Sequence, residues 1–310
     1  MNKLLGNPEI RRELAGNTFA HAYLIAGEAG MGKKTLARLL AEKLTGDTRG
    51  AVMRDEHPDV LWLAPKEKGK QIPVDEVRAF RREAYVKPNQ SPKKVLIIDH
   101  CEAMNESGQN AILKVLEEPP EYVVFLMLAE SREAMLPTIR SRCVIWEMQP
   151  VGEQEGVAFL KERYPEEERA ATLLKAAEGN LGKAMDYLTG GTLLTYGELG
   201  VRFLGKLCRN KRLEADQILA GLPKGDFSVF LDSFARLCRD FLLYKTGGNT
   251  ENIVFSESVL QIKSFLGRMR LEQLYKMASL TLECKNALAE NGNENLVKIS
   301  FIAEMGELLS

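Results

Sequence analysis

The sequence predicts an α/β domain over residues 1–150, followed by a region that is helical throughout. In the first part, short apolar runs alternate with stretches of helical periodicity, which is the pattern of an α/β fold. The apolar runs are continuous rather than alternating, as is typical of parallel strands that are buried on both faces. After Pro150 the strand-like runs give way to leucine-rich helical patterns.

Five apolar runs are the predicted strands, and helical stripes lie between them. Asn105 is the predicted N-cap of one helix, whose apolar stripe contains Ile112 and Leu116. Pro119 and Pro120 must end that helix, because proline lacks the N–H that a helix needs. The five runs span residues 22–26, 60–64, 95–98, 123–129 and 144–146.

Composition and charge narrow the functional classes. A length of 310 residues indicates two to three domains. The net charge of −1 gives no overall electrostatic reason to bind nucleic acid or anionic lipid, so any DNA contact must be local or made by partners. The longest apolar run, 123–129, is too short to span a bilayer, and the amino terminus lacks a signal-peptide pattern. We therefore expect a cytoplasmic protein without membrane contact.

The cysteines indicate buried, reduced thiols rather than a metal or redox site. No two of them form a CxxC unit, which argues against a zinc ribbon and against a thioredoxin-like motif. We therefore expect no metal ligands among them. The five are Cys101, Cys143, Cys208, Cys238 and Cys284.

The segment GEAGMGKKT, residues 27–35, is the strongest single motif. It follows the first apolar run and opens a predicted helix, as a phosphate-binding loop does. Gly27, Gly30 and Gly32 would let backbone N–H groups wrap a phosphate chain, and Lys33 would neutralise the β- and γ-phosphates. The segment therefore predicts a nucleotide-binding loop.

At Lys34, this loop departs from the phosphate-loop motif of proteins that hydrolyse ATP. That position should carry Ser or Thr, whose hydroxyl group binds Mg²⁺. An ammonium group repels the cation, and Thr35 lies about 100° further around the helix, where it is poorly placed to substitute. We expect metal-assisted hydrolysis to be lost, no cofactor to be required, and weak binding of ATP or ADP to remain open.

A second nucleotide signature is the segment VLIIDHCE, residues 95–102. Asp99 ends an apolar strand, as the Mg²⁺-binding Asp of a Walker B motif does. In hydrolysing relatives a Glu directly after this Asp orients the attacking water, but here His100 takes that position. Glu102 lies two residues too late to replace it. The candidate nucleotide site is therefore altered at two independent positions.

A third motif, LPTIRSRC at residues 136–143, contains a candidate catalytic arginine. A guanidinium group on such a loop can reach the γ-phosphate of a neighbouring subunit and act as an arginine finger. Taken alone, an arginine at position 142 is better explained as a surface residue that pairs with a carboxylate.

In combination, these motifs resemble the bacterial clamp-loader family of AAA+ proteins. The most specific part is NAILKVLEEPPE, residues 110–121, followed by LPTIRSRC. The resemblance implies a RecA-like α/β AAA+ core over residues 1–150, a small helical lid over 151–191 and an all-α C-terminal collar over 192–310. It also implies that the collar oligomerises with partner subunits.

Several departures favour the delta-prime type within that family. Lys34 and His100 replace groups of the hydrolysing subunits, and Gly182 stands where those subunits usually carry a second sensor, an Arg. Glu130 occupies a strand end where they carry a polar sensor such as Thr. The resemblance then implies a pentameric ring with gamma/tau and delta subunits, which loads the sliding clamp onto primed DNA. Arg142 would act in trans on a neighbouring ATP site.

Three other functions remain open on the sequence alone. An active clamp-loader motor ATPase would need another residue to replace the missing groups. A stand-alone phosphate-loop enzyme, such as a small-molecule kinase, would leave the SRC motif and the helical region without a purpose. An interaction scaffold outside replication would be separated from our interpretation by co-purification with a clamp-loader motor subunit.

Overall fold

The computed structural model of the protein describes residues 4–67, 69–189, 191–247, 253–255, 263–290 and 292–309. Its centre is a five-stranded parallel sheet with the strand order β2-β3-β4-β1-β5. The predicted α/β class is therefore confirmed. The strands are β1 Ala22–Ala26, β2 Val60–Leu63, β3 Lys94–Ile98, β4 Val123–Ala129 and β5 Val144–Glu147.

The sequence located these strands to within one residue at each end. The three central strands, β1, β3 and β4, are buried along their whole length. The edge strands β2 and β5 are only partly buried. Continuous apolar runs therefore predicted the central strands well, because both faces of each are covered by other elements.

Helices pack on both faces of the sheet and continue to the carboxyl terminus. The helix after β3 begins as predicted, since the Asn105 side chain accepts a hydrogen bond from the backbone N–H of Gly108 at 2.9 Å. The helices are α1 Pro8–Ala15, α2 Lys33–Thr45, α3 Val74–Glu83, α4 Glu106–Glu117, α5 Pro137–Arg140, α6 Glu153–Arg163, α7 Ala170–Ala176, α8 Leu181–Leu188, α9 Thr192–Leu207, α10 Arg212–Ala220, α11 Phe227–Lys245, α12 Lys263–Arg268, α13 Leu271–Ala289 and α14 Glu294–Leu309.

The α/β core lies in two apolar layers, one on each face of the sheet. One layer contains Leu24 and Phe125 from the sheet with Ile112 of α4. The other contains Ile25 from the sheet with Leu36 and Leu40 of α2. This two-sided burial fixes α2 against the sheet and so positions the loop that precedes it.

The chain divides into two compact units. The first contains Met1–Gly156 together with Asn180–Gly182, and the second contains Val157–Gly179 and Lys183–Ser310. The three-domain division at residues 150 and 191 remains a prediction. The predicted collar includes residues 248–252, 256–262, 291 and 310, which lie outside the described residues.

The second unit has an aromatic core of its own. Phe203 of α9 stacks on Phe301 of α14 with ring centroids 5.7 Å apart, and Phe230 of α11 stacks on Phe234 at the same distance. All four side chains are fully buried. Aromatic pairs of this kind stabilise a core beyond the area that they bury, which explains how three helices are held in one layer.

The described residues include all five cysteines and show whether any of their helices could span a membrane. All five cysteines are free thiols; Cys101, Cys238 and Cys284 are buried as expected, whereas Cys143 and Cys208 are only half-buried. Across the described ranges, none of the helices combines the length and the apolarity that a membrane span requires.

Candidate nucleotide site

The phosphate-loop motif forms the connection between β1 and α2. Its three glycines have positive φ angles: 155° at Gly27, 88° at Gly30 and 91° at Gly32. A side chain at Gly27 is disfavoured by this φ angle. It is also excluded because a Cβ atom there would lie 2.8 Å from Cβ of Met148. The glycines therefore serve the loop geometry that the sequence predicted.

Lys33 is turned back onto its own loop. Its Nζ atom donates hydrogen bonds to the carbonyl oxygen of Gly27 and, at 3.0 Å, to that of Glu28. Burial lowers the pKa of Lys33, while the charges of Glu130, Glu102 and Asp99 oppose that shift. Lys33 thus lies in a field of three carboxylates, although its hydrogen bonds go to the backbone.

Lys34 and Asp99 form an ion pair at the centre of the site. The Nζ atom of Lys34 lies 2.7 Å from Oδ2 of Asp99. Asp99 is buried at the end of β3, and Lys34 reaches it from the first turn of α2. The ammonium group therefore occupies a carboxylate oxygen that a Walker B aspartate would offer to a metal ion.

These residues do not fit a nucleotide-bound Mg²⁺. Such an ion needs a hydroxyl oxygen from α2 and an acidic oxygen from β3. Here the position on α2 supplies a cation, and that cation already neutralises Asp99. Thr35 lies half-buried in the same turn of α2, one residue away from the required position.

A segment far along the chain contacts the loop directly. The backbone N–H of Gly182 donates to the carbonyl oxygen of Gly30 at 3.0 Å. The side-chain amide of the buried Asn180 donates to the carbonyl oxygen of Ala29 at 2.8 Å. A Cβ atom at Gly182 would lie 2.4 Å from Cα of Gly30, so this close approach requires glycine. The sequence marked Gly182 as a departure but did not predict this contact.

Arg142 lies just after α5 and forms an ion pair within the chain. Its Nη2 atom lies 2.7 Å from Oε1 of Glu117, the last residue of α4. Its Nη1 atom donates to the carbonyl oxygen of Thr138 at 2.8 Å. The guanidinium group is about one-third exposed. Arg142 is therefore an accessible, paired arginine, as the surface interpretation also predicts.

Arg142 lies at the amino ends of the strands, and the phosphate loop lies at their carboxyl ends. Strand β5 runs parallel to β1, and Tyr23 pairs with Val144 at the amino ends of the two strands. Arg142 precedes that end, whereas Gly27 follows the carboxyl end of β1. A five-residue strand is roughly 16 Å long, so Arg142 is far from the phosphate loop of its own chain.

Comparisons with known proteins agree with this architecture. Residues 7–152 match the family model described as "DNA polymerase III, delta subunit". The chain is 32% identical over 176 residues to the DNA polymerase III subunit delta' of Haemophilus influenzae, covering 53% of each chain. It is 34% identical over 160 residues to the Pseudomonas aeruginosa subunit delta', covering 48% of this chain and 49% of that one. Gamma and gamma/tau subunits also match.

A solved structure extends the likeness to the whole fold. A DNA polymerase III gamma subunit-related protein from Thermotoga maritima superposes with a TM-score of 0.51 and 22% identity, covering 98% of this chain and 99% of that one. At this identity the likeness establishes the fold alone. The chain spans about half the length of the curated delta' relatives that it matches.

The parallel sheet, the phosphate loop after its first strand and the helical second unit are the parts of an AAA+ fold. Through residues 7–152, the chain is similar in sequence to the delta' subunits of DNA polymerase III.

Proposed function

We propose that this chain is the delta'-type subunit of a bacterial DNA polymerase III clamp loader and does not hydrolyse ATP itself. The observation that carries this proposal is the Lys34–Asp99 ion pair. Hydrolysis in phosphate-loop proteins needs a metal ion between the β- and γ-phosphates and an oriented water. An ammonium group on Asp99 removes the first, and His100 in place of Glu removes the second.

The partners are the gamma/tau motor subunits and a delta subunit in a pentameric ring, which loads the sliding clamp onto primed DNA in the cytoplasm. Homology to delta' subunits supports this assignment. Exposed apolar side chains on the C-terminal helices, such as Leu213, Leu296 and Ile299, support a subunit contact over residues 192–310.

The role of Arg142 is to stabilise a neighbour's ATP site in trans. Its place at the amino ends of the strands, away from the chain's own phosphate loop, supports action on a neighbour rather than in cis. Its ion pair with Glu117 is partly solvent-exposed, and such pairs stabilise by about 0–1 kcal/mol. Exchange of Glu117 for a γ-phosphate therefore costs little, and the planar guanidinium suits the charge that develops there.

An active motor ATPase is the second candidate. Lys33 and the loop glycines retain the features that hold a phosphate chain, and gamma/tau subunits are among the relatives. Under this alternative, an assembly built from this chain alone turns over ATP. Under our proposal, turnover needs a second, intact subunit.

The test is reconstitution with purified gamma/tau and delta subunits from the same organism. We expect one stable complex that contains this chain, and clamp loading onto primed DNA that is lost when this chain is left out. A complex that forms and loads clamps equally well without it would overturn the proposal. ATP turnover by this chain alone would instead favour the motor assignment.

A further inference from the structure

Three potential metal ligands meet beside the candidate nucleotide site. His100 and Glu102 follow the carboxyl end of β3, and Glu130 follows the carboxyl end of β4. The two strands are parallel neighbours, so their carboxyl ends share one edge of the sheet. One ligand atom from each residue lies within 4.8 Å of the others. This juxtaposition joins residues that are up to thirty positions apart in sequence.

One carboxylate oxygen of Glu102 lacks a partner among the described residues, and a bound cation would provide one. Its Oε2 atom is buried and has no hydrogen-bond partner in the described part of the chain. Removing a carboxylate oxygen from water without a partner is unfavourable. Its other oxygen, Oε1, lies 3.2 Å from Nδ1 of His100. That separation is close to the roughly 3.3 Å between two ligand atoms that bind one tetrahedral ion with bonds of about 2.0–2.1 Å.

The nearby ammonium groups are engaged elsewhere. Lys34 pairs with Asp99, and the hydrogen bonds of Lys33 go to the backbone carbonyls of its loop. Among the described residues, neither Glu102 nor Glu130 forms an ion pair with a lysine or an arginine. With Lys34 paired to Asp99, the charges of Lys33, Glu102 and Glu130 leave a net excess of one negative charge. A bound cation would offset that charge.

We propose that His100, Glu102 and Glu130 bind a divalent transition-metal ion, with Zn²⁺ as the best fit. An imidazole with two carboxylates suits zinc and similar ions, whereas Mg²⁺ and Ca²⁺ take oxygen ligands. The Nδ1 atom of His100 faces the cluster, and its Nε2 atom lies 4.0 Å from Oδ2 of Asp99. This separation is too long for a hydrogen bond, so the orientation of the His100 ring is supported by its contact with Glu102.

His100, Glu102 and Glu130 all line one surface cavity of about 580 Å³. Water or a small anion would complete the shell there. The ion would join the ends of β3 and β4 and hold Glu130 next to His100. This inference concerns the chain itself and does not depend on the proposed role in clamp loading.

The test is titration of the metal-free, full-length chain with ZnCl₂ by calorimetry, and with CoCl₂ by visible absorption. We expect one equivalent of Zn²⁺ to bind, and the d–d bands of Co²⁺ to indicate nitrogen and oxygen ligands. Glu130→Gln and His100→Asn should each weaken binding at least tenfold, since even residues that only support metal ligands contribute 10–100-fold. His100→Asn is chosen because His100 has a φ of 51°, which Asn tolerates.

Two controls keep the result interpretable. His21→Ala removes another exposed histidine, and Glu106→Gln removes an exposed carboxylate outside the cluster; both should bind Zn²⁺ as the wild type does. Equal binding by wild type, Glu130→Gln and His100→Asn would overturn the proposal. Co²⁺ spectra dominated by thiolate bands would also overturn it, because they would place the ion on a cysteine. So would failure to bind Zn²⁺ at 100 µM, a concentration about 10⁵-fold above a Kd of 1 nM.

Discussion

Lys34 and Asp99 meet at 2.7 Å between the first turn of α2 and the end of β3. The two residues that would share a metal ion in an active phosphate-loop protein instead neutralise each other. Asp99 is almost fully buried, so its charge needs a partner, and Lys34 provides one. The charge of Asp99 is therefore balanced without a bound metal ion.

Lys34→Thr should restore metal-dependent nucleotide binding. The change frees Asp99 and supplies the hydroxyl group that Mg²⁺ needs. We expect the affinity for a fluorescent ATP analogue to rise at least tenfold in Mg²⁺ and to change little in EDTA, compared with wild type. Wild-type protein that binds the analogue as tightly as this variant would contradict the idea that Lys34 blocks the site.

The same variant should still hydrolyse ATP negligibly, because His100 cannot orient the attacking water as Glu does. Steady-state hydrolysis by the isolated chain checks this. Turnover near 1 s⁻¹ by the wild-type chain, abolished by Lys33→Ala, would show that the site is active after all.

Arg142→Ala should reduce ATP hydrolysis by the reconstituted clamp loader without preventing assembly. Arginine fingers raise the rate of hydrolysis about 10³–10⁵-fold at the site that they face. The steady-state ATPase rate of the whole complex should therefore fall only in part. In a single-turnover experiment, one ATP site should fail to hydrolyse its ATP. Arg142→Lys should recover little, because a point charge lacks the planar fork.

Glu117→Gln is the matched control for Arg142. It removes the ion pair between Arg142 and Glu117 but keeps the guanidinium group. If Arg142 acts on a neighbour, this variant should hydrolyse ATP as the wild type does. Equal losses in Glu117→Gln and Arg142→Ala would show that the ion pair has only a structural role.

Gly182→Ala should destabilise the protein. The added Cβ atom would lie 2.4 Å from Cα of Gly30, a backbone atom that cannot rotate away. Overpacking of this kind costs about 1–3 kcal/mol, which urea denaturation can measure. Gly205→Ala is the control: it lies within α9, where a Cβ atom meets nothing within 4 Å. That change should stabilise the chain by up to about 1 kcal/mol.

Asp240 should make the stability of the second unit depend on pH. This residue of α11 is fully buried, and its Oδ2 atom accepts a hydrogen bond from the N–H of Phe255 at 2.9 Å. Among the residues that the structure describes, its Oδ1 atom has no hydrogen-bond partner. Burial raises the pKa of Asp240 to about 6, against the opposing effects of the Phe255 N–H and of Arg239. The folded protein therefore holds this proton more tightly than the unfolded chain does.

The contribution of Asp240 to the free energy of unfolding should fall as the pH rises from about 4 to 6, and then level off. The shift of about two units corresponds to at most about 3 kcal/mol. Asp240→Asn should remove this dependence, whereas the exposed Asp216→Asn should keep it. Urea denaturation at pH 5 and pH 7.5 tests both variants. Equal pH dependence in Asp240→Asn and wild type would contradict the assignment.

The fold was largely predictable because its signals are local. Strands β1 and β4 match their apolar runs residue for residue, and Asn105 caps its helix through a side chain three residues from its partner. Backbone chemistry and burial act over such short ranges. The same apolar runs also placed the phosphate loop after β1 and Asp99 after β3.

The partners within the site were not predictable, because they come from distant parts of the chain. The sequence indicated that Lys34 would repel a metal ion, but not that it would reach Asp99. Likewise, the contacts of Gly182 with Gly30 and of Arg142 with Glu117 depend on tertiary packing. A single sequence carries no local signal for such pairs.

The separation of Arg142 from the phosphate loop has a consequence for how such proteins diverge. Under the proposed trans role of Arg142, an ATP site between two neighbouring subunits would take its phosphate loop from one subunit and its arginine from the next. Mutations at Lys34 or His100 would then inactivate one such site and leave the site that receives Arg142 intact. After a gene duplication, one copy could change at the phosphate-loop end of its strands while selection retained the Arg142 end, so that a subunit which only donates an arginine could arise.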